Sequence, residues 1–313
     1  MEKRPGLVHE PEKARPYLKP AINSKQHQAV IDSSIDVPEM EPVFTIPLNQ
    51  VGIAAKTIWI DLPQGRLPFE AEVSVSLPAH LKGIHMSRIE RAISSLLSEP
   101  FEDIRCYAEK LCGIILLEQK GNSAEVFLQG KLPHITKTAV SSEISLDSVT
   151  ISVKTRGERE NSITKTVSML GLSLNHITAC PCTQVYNNAL FPDQDQELLF
   201  THSQRSRTIL EAEDINEAIG FHDIYDCLAS CLHINQDLLK RPDEAELVLA
   251  AHRKPQFAED VVRMAAQETA KRLGGLLPDE SRIRIETLSM ESIHIHNVKC
   301  VLECRMGDIR KRI

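Results

Sequence analysis

Positive charge is in short supply in this 313-residue chain: 36 Lys and Arg stand against 43 Asp and Glu, a formal net charge of −7. That balance argues against a protein held to nucleic acid or to a membrane surface by bulk charge. It leaves room for a small anionic ligand, which needs only a few clustered cations. Aromatic residues make up 4% of the chain, with a single Trp, so the cores must be aliphatic. No apolar run approaches the about 18 residues that a membrane span requires. The opening MEKRPGLVHEPEKARPYLKP has no apolar signal core, which predicts a cytoplasmic location. There is no CxxC…CxxC pair and no HExxH. Eight cysteines in a chain of this length do not suggest a disulfide framework.

What is present is an ordinary charged fraction, 25%, and 42% hydrophobic residues, ample for packed cores. Residues 1–44 are rich in Pro, Lys and Glu without apolar periodicity and predict an extended or partly disordered arm. Strand character begins near Val43 and runs to Leu62. Between Phe69 and Leu77, Ala71, Val73, Val75 and Leu77 alternate with Glu70, Glu72, Ser74 and Ser76. Ser87 is positioned to cap a helix from Arg88 to Leu97, and Pro100 to open a second one ending near Gly121. Strands are expected over Ser123–Leu132, Val149–Lys154 and Ser162–Ile177. Helices follow over Ile215–Leu239 and Gln256–Leu273, then strands over Arg282–Ser289 and Ile293–Arg305. The two halves share this order, which predicts an α+β chain of two similar ββαα-type modules, 45–140 and 141–313.

Four polar clusters interrupt the pattern. Cys180-Pro181-Cys182 ends an apolar run, and its spacing is too short for an easy disulfide. Metal binding, nucleophilic chemistry and simple burial are all open readings for it. The other six cysteines sit among apolar residues and read as buried thiols. Thr201 to Arg207 reads THSQRSR. Leu239 to Glu244 reads LKRPDE and is followed by Phe257-Ala258-Glu259-Asp260. Glu291 to Asn297 reads ESIHIHN. On a strand His294 and His296 would share one face with Val298, Cys300, Leu302 and Cys304. Taken singly, His202 reads as a surface residue, Glu244 as half of a solvated helix-start pair and Glu259 as a helix-dipole partner. Together, one thiolate, one imidazole and one carboxylate suit a divalent ion with an open coordination position.

These clusters, in this order, resemble the prokaryote-specific type IB GTP cyclohydrolase I family. NQVGI (Asn49–Ile53), KGIHMSR (Lys82–Arg88), CPC, HSQRS, LKRPDE, the PQFAED segment around Glu259 and ESIH all match, over about residues 45 to 306. The resemblance implies a tunnelling fold with antiparallel sheets, assembled into an oligomeric barrel and a homotetramer with active sites at subunit interfaces. It implies hydrolysis of GTP at guanine C8 with formate release, giving 7,8-dihydroneopterin triphosphate for tetrahydrofolate synthesis. It makes Cys180, with Cys182 as the alternative, His202 and Glu244 ligands of zinc, iron(II) or manganese. It places Cys182 and His294 for proton transfer, with Glu291 beside them. Glu259 is to hold the purine edge, where an acceptor-only carboxylate suits N1–H and the 2-amino group. Lys82, His85, Arg88, Gln204, Arg205 and Arg207 are to bind the rest of the substrate.

The segment from Tyr186 to Phe200 is longer than in bacterial members, and Thr183 and Ile295 depart from many relatives. Three other readings stay open. The first is the archaeal-type cyclohydrolase, which yields a dihydroneopterin 2′,3′-cyclic phosphate. The second is a tunnelling-fold nitrile reductase with Cys182 as nucleophile. The third is a non-catalytic purine-binding homologue.

Overall fold

The computed structural model describes residues 21–160, 163–191 and 200–313. Strands β1 (Leu48–Leu62), β2 (Gly65–Leu77), β3 (Ser123–Lys137), β4 (Ile144–Glu160), β5 (Ile163–Ala179) and β6 (Ser203–Asp214) lie side by side. A two-residue β7 (His233–Ile234), β8 (Arg282–Met290) and β9 (Val298–Arg305) complete the strand set. They form one sheet in the order β1-β2-β3-β4-β5-β6-β8-β9, every pairing antiparallel, with β7 added beside β5. The expected α+β class with antiparallel pairing is therefore present.

Alternation decides which face is covered. Phe69, Ala71, Val73, Val75 and Leu77 of β2 are buried, as are Val149, Ile151 and Val153 of β4 and Ile283 and Ile285 of β8. Against them lie Ile89, Ala92 and Ile93 of α2 (Met86–Ser95) and Ile104, Leu111 and Ile115 of α3 (Ile104–Glu118). Ile224 and Leu228 of α5 (Phe221–Ala229) and Val261 and Ala265 of α7 (Ala258–Leu273) continue the same core. At Gly157 of β4 a Cβ would meet Cys112 Sγ at 2.7 Å and Leu116 Cδ1 at 2.9 Å, so only glycine lets α3 lie this close. Cys112, Cys227 and Cys231 are buried and free, and burial pushes their thiols up to about 12. Cys106, Cys300 and Cys304 are only half-buried.

Several boundaries differ from expectation. The arm is not wholly extended: α1 (Ser24–Ser33) is a helix closed by an Asn23–Gln26 capping box, and residues 1–20 lie outside the described residues. His85, not Ser87, is the N-cap of α2. The α3 helix starts after Asp103, whose carboxylate accepts from Cys106 N at 2.9 Å, rather than at Pro100. The expected helix over Ile215–Leu239 is cut to α5, because the chain then pairs with β5 through β7. Besides α1, the helices α4 (Pro181–Leu190), α6 (Arg241–Arg253) and α8 (Met306–Arg310) were not expected. Most of the segment from Tyr186 to Phe200 is α4 or, at 192–199, lies outside the described residues.

Candidate active site

Register brings three of the four clusters to one end of the sheet. Ala179 pairs with Ser203, so Cys180 and His202 leave β5 and β6 together, and Cys180 N–H donates to the His202 carbonyl at 3.0 Å. Arg205 pairs with Met290, which sets Glu291 at the same end. Thr201 Oγ1 donates to the Cys180 carbonyl at 2.7 Å. Pro181 then opens α4 with Cys180 as its N-cap. Cys180 is half-buried and Cys182, one turn position on, is exposed. Thr183 Oγ1 lies 3.7 Å from Cys180 Sγ.

The face of these strands that is apolar elsewhere turns polar as it approaches this end. His176 and Thr178 of β5, Gln204, Ser206 and Thr208 of β6, and Thr287 and Ser289 of β8 are all buried. Several of them bond to one another: His176 Nε2 lies 2.8 Å from Thr208 Oγ1, Thr208 Oγ1 2.8 Å from Thr287 Oγ1, and Thr178 Oγ1 3.0 Å from Ser206 Oγ. Burial drives the His176 imidazole down from 6.5 to about 4. At the rim Ser289 Oγ donates to Glu291 Oε1 at 2.9 Å, and His202 Nδ1 sits 3.1 Å from Gln204 Oε1. A carbonyl oxygen can only accept, so Nδ1 is the donor there, which in a neutral ring leaves the lone pair on Nε2. Of these buried seam residues only Gln204 and Ser206 fall in a motif singled out from sequence. Their signal is polar side chains at core parity on three neighbouring strands.

Helix α6 runs from the β3–β4 turn to the CPC corner. At its start buried Asp243, not Glu244, is the anchored acid: it accepts from Val140 N at 2.9 Å, Ser141 N at 3.0 Å and Ser141 Oγ at 2.6 Å. Those bonds, the Ser141 hydroxyl foremost, hold its carboxyl well below the usual carboxylate range. At the helix end His252 Nε2 lies 3.2 Å from the Thr201 carbonyl, and Gln184 Nε2 donates to the His252 carbonyl at 2.7 Å. Glu244 is exposed and stands eight residues, about 12 Å of helix, from that contact. Accordingly the donor atoms of Cys180, His202 and Glu244 do not gather within 4.8 Å of one another in a single chain.

Other candidates are spread more widely. Glu259 is exposed in the first turn of α7 and borders a groove shared with Arg263 and Cys300. Gln256 N, just before that helix, donates to the Ala179 carbonyl at 3.1 Å. Arg205 and Arg207 are exposed on the opposite strand parity from Gln204 and Ser206. His294 and His296 do not lie on β9, which begins at Val298. They stack at 5.1 Å in the exposed β8–β9 connection, so the apolar face of Cys300 and Leu302 does not include them. The KGIHMSR segment follows β2, and alternating strand direction puts the end of β2 at the opposite end of the sheet from Cys180. There Lys82 is exposed, Arg88 Nη1 donates to the Glu118 carbonyl at 2.9 Å, and His85 faces Asp36 and Glu39. Among the described residues no helix is long and apolar enough to cross a membrane.

Known proteins are similar to this chain. Residues 35–300 match the family described as "Type I GTP cyclohydrolase folE2". The "GTP cyclohydrolase MptA" of Thermoplasma volcanium is 31% identical over 289 residues, covering 89% of this chain and 98% of the relative. That of Methanocaldococcus jannaschii is 29% identical, with 89% and 97% covered. Among solved structures, a uricase from Bacillus fastidious superposes with a TM-score of 0.50 at 8% identity, covering 84% of this chain and 95% of the uricase. The Arthrobacter globiformis uricase gives 0.50 at 8%, with 82% and 93% covered. At such identities the likeness is one of fold alone, and it supports the tunnelling fold. By its sequence match across most of its length, this chain belongs to the type I GTP cyclohydrolase folE2 family.

Proposed function

We propose that this chain opens the imidazole ring of GTP at guanine C8 with water, releases formate, and, as a hydroxyl of the pterin side chain closes onto the α-phosphorus and expels pyrophosphate, yields 7,8-dihydroneopterin 2′,3′-cyclic phosphate rather than the triphosphate. The observation that carries the reading is the Cys180–His202 junction at the β5–β6 end, inside the family match. The cyclic product is favoured because the similar relatives are archaeal proteins named GTP cyclohydrolase MptA. Mass spectrometry of the pterin formed from GTP is expected to give the cyclic phosphate; a triphosphate pterin overturns that part of the reading.

In this proposal Cys180, His202 and Glu244 hold a divalent ion. The donor types suit such an ion, a half-buried thiol, an imidazole whose Nδ1 is already committed to Gln204 and an exposed carboxylate, although within one chain their donor atoms do not gather. The ion supplies Lewis acidity that makes water a competent nucleophile near neutral pH. Gln204, buried and bonded to His202, is a positioning residue rather than a substrate contact. Gln204→Ala is expected to weaken metal affinity about 10- to 100-fold, measured by chelator competition, while Gln204→Glu restores an acceptor and most of the affinity.

Cys182 Sγ and the His294 imidazole, both exposed, move protons to and from the opening ring, and Glu291 orients His294. Glu259 accepts from guanine N1–H and the 2-amino group. Lys82, Arg88, Arg205 and Arg207 neutralise the phosphates, and His85 lies in the same loop as Lys82 and Arg88. Because one chain sets KGIHMSR and CPC at opposite ends of its sheet, a complete site draws on at least two copies, in a homotetramer. The sheet ends in β1 and β9, each paired on one side only, and edges of this kind from two copies can join to close a barrel. The modules 45–140 and 141–313 are its repeated units.

A further inference from the structure

The arm and the KGIHMSR loop meet in a group of donors outside the CPC corner. His85 Nε2 lies 3.7 Å from Asp36 Oδ2 and 3.6 Å from Glu39 Oε1, and the three ligand atoms fall within 4.8 Å of one another. Both N···O distances are too long for hydrogen bonds. They are close to the edge of a tetrahedron built on metal–nitrogen and metal–oxygen bonds of about 2.1 Å, which is about 3.4 Å.

The ligands rest on a backbone fixed independently of them. Lys82 N donates to the Pro38 carbonyl at 3.1 Å and the Met40 carbonyl at 2.9 Å, and Gly83 N to the Pro38 carbonyl at 3.1 Å. On the other side buried Gln119 grips His85 through its backbone, donating from Nε2 to the carbonyl at 2.9 Å and accepting from His85 N at 3.4 Å. Lys120 Nζ lies 2.9 Å from Glu39 Oε1. The same oxygen is the one 3.6 Å from His85 Nε2, and a carboxylate oxygen has capacity for a second partner. With a neutral imidazole, two carboxylates and one ammonium leave the group one negative charge that a divalent cation offsets. The solvent side stays open, since Asp36 and Glu39 are exposed while the His85 side chain is 16% exposed.

We propose that Asp36, Glu39 and His85 form a second divalent-cation site, of mixed nitrogen and oxygen donors, that staples the arm to the start of α2. One imidazole with two carboxylates suits zinc, manganese or iron(II). The site shares no ligand with the Cys180 centre, and its assignment does not rest on the cyclohydrolase reading.

The test is a Co(II) titration of the full chain after chelator stripping, with metal counted by mass spectrometry after gel filtration. Two equivalents per chain are expected, one with a thiolate-to-cobalt charge-transfer band from Cys180 and one without it. Asp36→Asn/Glu39→Gln, two near-isosteric changes at exposed positions, is expected to lose only the bandless equivalent, and Cys180→Ser only the other. The single variant Glu39→Gln is expected to weaken the bandless equivalent at least about tenfold. In the unsubstituted chain, added Co(II) is expected to slow amide exchange over residues 34–40. A circular-dichroism-intact double variant that keeps every equivalent of the parent overturns the site. So does a parent chain with no bandless equivalent. Failure of the Cys180 centre instead shows as a missing charge-transfer band, so the two outcomes are distinct.

Discussion

Cys180→Ser is expected to reduce kcat by about a thousandfold or more and to remove one metal equivalent without unfolding the chain. A neutral hydroxyl is a poor substitute for a thiolate ligand. Losing the several kcal/mol that a Lewis acid contributes to the transition state corresponds to at least about three orders of magnitude. The fold should survive because the corner is held by groups the substitution leaves alone: Cys180 N–H on the His202 carbonyl and the Thr201 hydroxyl on the Cys180 carbonyl. Cys182→Ser is the matched control. Cys182 is exposed in the first turn of α4, and its replacement should keep the metal while costing about 10²- to 10⁴-fold in rate as a lost proton donor. Formate release and metal counting on both variants decide the assignment. If Cys182→Ser loses the metal and Cys180→Ser keeps it, the two cysteines exchange roles.

The second large effect is on stability. His176 is fully buried in the polar seam, and burial, the dominant cause, lowers its pKa to about 4 against 6.5 for the free side chain. Between those values the unfolded chain binds a proton that the folded chain refuses. Stability therefore rises with pH across this window. His176 imposes no penalty above about 6.5 and the full one below about 4, where the loss amounts to about 3 kcal/mol. Urea unfolding at a series of pH values should show this decline. In His176→Gln, whose amide can still reach Thr208 but does not titrate, the part of the decline due to residue 176 should vanish. Parallel curves for the two proteins from pH 6.5 to 4 would contradict the burial of a neutral imidazole. Carboxylates that titrate in the same range cancel in the comparison.

The legible parts of this molecule were those where one physical preference acts alone. The β2 alternation is uninterrupted from Phe69 to Leu77, and the strand follows it. The α7 helix ends at Leu273, immediately before the Gly274-Gly275 stop. Helix starts were harder where two caps compete. Ser87 is a better cap by type than His85, yet Gln119 pins the His85 backbone in the extended conformation that a cap position needs. The α6 helix was missed because its residues show little amphipathic order. It is placed by the tertiary bonds of Asp243 to Val140 and Ser141, about a hundred residues earlier in the chain. His294 and His296 were expected on a strand because their spacing suits one, but residues 291–297 serve as the β8–β9 connection.

The candidate site was legible as a set of residue types and not as an arrangement. CPC and HSQRS could be picked out singly, whereas their meeting at one corner follows from the Ala179–Ser203 register. Sequence also grouped KGIHMSR with them, and antiparallel pairing separates the two by the length of the sheet. The seam beneath the corner escaped notice because each of His176, Thr208 and Thr287 is unremarkable alone. Their common parity matters only once β5, β6 and β8 are known to be neighbours.

The account stands most directly on the fate of guanine C8. GTP labelled with ¹³C at that position, incubated anaerobically with the metal-reconstituted chain and Fe(II), Mn(II) or Zn(II), should deliver the label as one formate per pterin formed. A folded, metal-loaded and oligomeric chain that releases no labelled formate with any of these ions contradicts it.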